Sequence, residues 1–160
     1  MNLDNDPKAE VVALADLITD RIISLVSSPE TAARLTVASA LRVSCEGWLK
    51  LELLQDLTMF FLSADDIQIR PESVLGTCES SPNRAAADIA VRRGSQEVLI
   101  ELKTFPTNYG GVGKPITNFI ASVVRDLEKL CARRGSATGL VAWLAYPIPA
   151  PIPPSWSQHL

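Results

Sequence analysis

Asp88, Glu101 and Lys103 are the residues whose types and spacing point most directly to chemistry, because one turn and two strands bring them together. Gly94-Ser95 is a two-residue hairpin turn with glycine at the first central position, as a type II′ turn wants. Counting outward, Arg93 faces Gln96, Arg92 faces Glu97, Val91 faces Val98, Ala90 faces Leu99, Ile89 faces Ile100 and Asp88 faces Glu101. Opposed residues share one side of a sheet, and sides alternate along each strand. One face then carries Ala87, Ile89, Val91, Val98, Ile100 and Leu102, an apolar surface that reads as core. The other sets Asp88 against Glu101, with Lys103 one step further on the same side. Opposed side chains have Cβ atoms about 4.5–5.5 Å apart, and like charges there destabilise a sheet. A divalent cation held by both carboxylates offsets that repulsion best. Mg²⁺ suits such a pair, since it takes one or two protein carboxylates and completes its shell with water and phosphate oxygens. Ala90 and Leu99 beside the pair imply burial that a solvated strand face would lack.

Other chemistries are excluded by what the chain lacks. Its one histidine, His159, is next to the last residue, so Ser-His, Cys-His and His-rich metal sites are not expected. Cys45, Cys78 and Cys131 are far apart and odd in number, which reads as reduced, structural thiols. The formal charge of -3 argues against indiscriminate nucleic-acid binding, which depends on neutralising phosphates, but leaves room for a local basic groove. No apolar run approaches the roughly 18 residues of a membrane span, and the acidic opening Met1 to Lys8 does not resemble a secretory signal. The expected localisation is cytoplasmic.

The elements that must position the three residues are legible in the pattern. At 160 residues and 47% hydrophobic content, the chain fits one domain over 1–146, followed by a Pro-rich tail over 147–160. Asp6-Pro7 is a cap and first-turn pair, and Val11, Leu14, Leu17, Ile18, Ile22 and Leu25 recur at helical spacing. Ser28-Pro29 restarts the pattern to about Leu41, and Ser44 to Leu62 reads as a third helix with Leu49, Leu53, Leu57 and Phe60 on its stripe. Residues 7–62 are therefore a helical N-terminal part. Strand patterns follow from Asp65 through Phe105, then a glycine-rich loop, an amphipathic helix from Ile116 toward Gly135, and a last strand before Pro147. The expected class is α/β with a mixed sheet flanked by helices.

Asp88, then Glu101-Leu102-Lys103, bracketed by apolar strands, resembles the core of the PD-(D/E)XK nuclease superfamily, the restriction-endonuclease-like fold. The resemblance covers roughly residues 44–146 and includes the order of elements: a helix with a glutamate, three strands, a helix and a strand. Ala87 stands where the motif has proline. The resemblance implies metal-dependent phosphodiester hydrolysis, with DNA as the leading substrate and Mg (or Mn) as cofactor. It implies that Asp88 and Glu101 hold the metal with the backbone carbonyl of Leu102, and that Lys103 assists the attacking water. A helix glutamate, Glu46 or Glu52, would complete the set, Glu46 being preferred because it stands one turn before the Leu49, Leu53, Leu57 stripe. The rival class is a catalytically silent nuclease-like domain that binds nucleic acid or protein as an accessory module.

Three further readings concern contacts. Lys114, Asn108 and Asn118 are candidate substrate-binding residues in and after the glycine-rich loop. Arg125, Lys129, Arg133 and Arg134 read as a helix end matching the dipole. Trp48 and Trp143 read as core, Trp156 lies in the tail, and the apolar first helix is a candidate homodimer face.

Overall fold

Proline in the first turn and apolar residues at helical spacing open the chain with α1 (Pro7–Ser27). Ser28 then starts α2 (Pro29–Leu41), its Oγ accepting the Thr31 backbone N–H at 3.1 Å. The remaining elements are α3 (Glu46–Phe60), β1 (Ile67–Val74), β2 (Ala86–Arg93), β3 (Gln96–Pro106), α4 (Ile116–Cys131) and β4 (Thr138–Tyr146). This is a computed structural model, and it describes residues 7–41, 43–74, 86–106, 116–132 and 137–146. Asp6, Cys78, Asn108, Lys114, Arg133, Arg134 and the 147–160 tail with Trp156 and His159 lie outside the described residues.

The four strands form one sheet in the order β1-β2-β3-β4. The first three pair antiparallel, and β4 runs parallel to β3 from Val98–Thr138 to Pro106–Tyr146. A parallel partner cannot be reached by a tight turn, and α4 supplies the crossover. The architecture is α/β, a mixed sheet flanked by helices.

The hairpin follows the register that turn chemistry dictates, from Arg93–Gln96 to Ile89–Ile100, with Gly94 at φ 56°. It departs at the next rung. Asp88 does not stand opposite Glu101 in the ladder, because its side chain takes over a backbone role: Oδ2 accepts the Leu102 N–H at 2.8 Å. Hydrogen-bonded and non-bonded pairs alternate in an antiparallel ladder, so that N–H would otherwise have gone to Ala87. Ala87 also leaves the face assigned to it and packs with Ala90, Leu99 and Leu130.

The larger core lies between the sheet and the first and third helices. Leu14 and Ile18 of α1, and Leu53 and Leu57 of α3, pack on Ile89, Val91, Val98 and Ile100. Each fully buried side chain of this kind contributes about 1.5–3 kcal/mol. Phe61, just past α3, joins this core, while Phe60 is exposed at 42%, so the stripe ends one residue later than its spacing suggested. On the other face, Leu130 seats α4 against Gly139 of β4, where an added Cβ would lie 3.0 Å from Leu130 Cβ. Trp48 is half-buried and Trp143 is 41% exposed, so neither is a core tryptophan: Trp48 keeps its indole N–H for Glu52, and Trp143 lies on an outer strand. Among the described residues no helix is long and apolar enough to cross a membrane.

Candidate active site

Four elements bring seven charged side chains to one region. The first two turns of α3 carry Glu46 and Lys50, four residues apart and therefore on one helix face. The sheet contributes Asp88 from β2 with Glu101 and Lys103 from β3, and the last turns of α4 add Asp126 and Lys129.

The contacts interlock. Lys50 Nζ lies 2.8 Å from Asp88 Oδ1 and 3.1 Å from Glu46 Oε1. Lys103 Nζ lies 3.4 Å from Asp126 Oδ2 and 3.8 Å from Glu46 Oε1. Lys129 Nζ donates to Glu101 Oε1 and is 3.5 Å from Asp126 Oδ1. Glu46 also accepts the Thr104 backbone N–H on Oε2 at 3.5 Å, tying the start of α3 to β3. Four carboxylates thus share three ammoniums, which leaves the cluster acidic.

Glu101 is the most constrained member, only 2% exposed. A carboxylate at that depth costs several kcal/mol unless it is paired. Lys129 provides the pairing. Burial pushes the Glu101 carboxyl above its ordinary 4.5, Lys129 pulls it down, and Asp88 and Asp126 push it up again; the net direction is upward. At Lys50 burial works against the ammonium, but the Asp88 and Glu46 carboxylates together prevail and raise it. Among the described residues, Asp126 Oδ2 is buried and accepts no hydrogen bond, its cation being Lys103 at 3.4 Å.

The residues expected from the sequence are distributed as follows. Asp88, Glu101, Lys103 and Glu46 all enter the cluster, and Leu102 is fixed there by its N–H to Asp88. Glu52 does not enter. Its Oε1 accepts from Arg34 at 2.5 Å and from the Trp48 indole N–H at 2.9 Å, a brace between α2 and α3. Asn118 is exposed in the first turn of α4, about 12 Å along the helix from Asp126. Asn108 and Lys114 lie outside the described residues.

Lys50, Asp126 and Lys129 are site residues that sequence reasoning missed. Their signal was a charge on an apolar stripe: Lys50 stands with Leu53 and Leu57, and Asp126 with Val123 and Leu130, at spacings of three and four. Lys129 was noticed only as a helix-end cation.

Oxygen is the donor type the four acids present, the type that hard divalent cations take. Among the four, Asp126 Oδ2 has acceptor capacity to spare. Among the described residues no three acidic, histidine or cysteine side chains converge tightly enough to enclose an ion alone. No protein-family model matches the chain, and no curated protein matches it in sequence.

Proposed function

We propose that this chain is a metal-dependent nuclease with a restriction-endonuclease-like core, hydrolysing phosphodiesters, with DNA as the leading substrate. The observation that carries the reading is the meeting of Asp88, Glu101, Lys103 and Glu46 in one cluster, on elements ordered helix, three strands, helix, strand. Asp88 and Glu101 would hold Mg²⁺ or Mn²⁺, with the Leu102 carbonyl contributing. A bound ion of this kind lowers the pKa of water and polarises the phosphoryl oxygen. Lys103, steadied between Glu46 and Asp126, orients the attacking water and offsets charge on the phosphate. Asp88 has a second task, since its bond to the Leu102 N–H fixes β3 where Glu101 and Lys103 project.

The test is cleavage of single- and double-stranded DNA with Mg²⁺ or Mn²⁺. Asp88→Ala and Lys103→Ala should each lower the rate by about 10²–10⁴-fold in proteins that remain folded. Undiminished cleavage in both removes the assignment. The rival reading is the silent accessory module, favoured by the ammoniums already seated on the acids. It requires no cleavage with either metal and salt-sensitive binding if the partner is nucleic acid. A homodimer through α1 and α2 belongs to the same proposal, motivated by exposed Ile23, Val37 and Leu41. A concentration-independent monomer mass would remove it.

A further inference from the structure

Lys50 and Lys129 hold similar positions on opposite sides of the cluster. Each bridges one carboxylate proposed as a metal ligand and one that is not. Lys50 spans Asp88 and Glu46, and Lys129 spans Glu101 and Asp126. The motif requires neither lysine, since Lys103 already fills the catalytic lysine position. Both Asp88 and Glu101 therefore carry an ammonium where the proposed chemistry needs a divalent cation.

Two cations crowded onto the same carboxylate repel each other, so occupation by one weakens the other. A lysine can give way without leaving. Its charge is a compact point on a flexible four-carbon stem, and these two side chains are 29% and 23% exposed, which leaves them room to move. Glu46 and Asp126 are the fallback partners that keep each ammonium at the site once its bond to Asp88 or Glu101 is broken. The buried, under-bonded Asp126 Oδ2 gives the second of these partners spare acceptor capacity.

Resting on the nuclease reading, the geometry points to Lys50 and Lys129 as resident counterions that exchange with the divalent cation. They hold the acids together in the metal-free protein, set metal affinity by competition, and remain on Glu46 and Asp126 as cations available to a substrate phosphate.

Calorimetric titration of the full chain with Mn²⁺ tests this. Lys50→Met and Lys129→Met should each bind Mn²⁺ more tightly than wild type, by about 5- to 100-fold, the usual size of a coupling between two binding events. Lys129→Arg keeps the charge and should stay near wild type, and Asp88→Asn should lose the binding. A lysine with a merely structural role would leave affinity unchanged or weaken it on removal. Wild-type binding that is not tightened in either methionine variant overturns the exchange and leaves the nuclease reading standing. Absence of binding in wild type and both variants overturns the two together. Circular dichroism checks folding, and if Lys129→Met does not fold, the more exposed Lys50→Met decides the outcome.

Discussion

Glu101 sets the conditions under which the cluster can exist, because its carboxyl is buried and its pKa is raised above 4.5. Between pH 4.5 and its higher folded value, it holds a proton in the folded protein that the unfolded chain has released. Stability from this group is therefore greatest near and below pH 4.5 and is lost as pH rises through the higher folded value. Glu101→Gln cannot titrate, so denaturant unfolding from about pH 4.5 to 8 should show the variant gaining on wild type as pH rises. A difference flat in pH would mean that Lys129 cancels the cost of burial. Lys129→Met removes that partner and should destabilise the metal-free protein by about 3 kcal/mol at neutral pH. The sequence showed Asp88, Glu101 and Lys103 clearly because strand alternation and a glycine turn fix which residues meet. It hid Lys129 because a cation near a helix end has an adequate local explanation in the dipole, and only the depth of Glu101, a tertiary fact, reveals its second partner.

Two glycines separate what an element needs locally from what it needs in order to dock. Gly94 has φ 56° and open space around it, so Gly94→Ala should cost about 1 kcal/mol through backbone strain alone. Gly139 has no such φ constraint but lies against Leu130, with an added Cβ 3.0 Å from Leu130 Cβ and 3.2 Å from its Cδ1. Gly139→Ala must push α4 away from β4, at about 1–3 kcal/mol. Because α4 also carries Asp126 and Lys129, this substitution should loosen the Lys129 counterion and tighten Mn²⁺ binding, in the direction of Lys129→Met, while lowering stability, whereas Gly94→Ala should lower stability alone. Equal functional effects from the two would show that α4 placement does not govern the cluster. All eight elements among the described residues were legible from periodicity, and β2–β3 pairing from its turn, down to Ile89–Ile100. The ladder's end was not legible, because turn counting assumes backbone partners and Asp88 substitutes a side chain for one.

At the scale of the whole molecule, the formal charge of -3 and the acidic cluster oppose a polyanion, so any grip on nucleic acid must be local. The ammoniums that the cluster can offer are those of Lys50, Lys103 and Lys129, each tethered to a carboxylate in the metal-free protein. Neutralising about three phosphates predicts log K falling with log salt at a slope of about -3. Lys103→Ala should reduce that slope by about 1 and leave sequence preference unchanged, as a phosphate contact does. Fluorescence anisotropy with labelled duplex and single-stranded DNA, in Asp88→Asn protein to prevent cleavage, measures both quantities. A slope near -8 would place the main contact on a basic surface other than this cluster. A slope of zero would remove phosphate recognition, and with it the nucleic-acid substrate, while leaving the metal-binding experiment to be judged on its own.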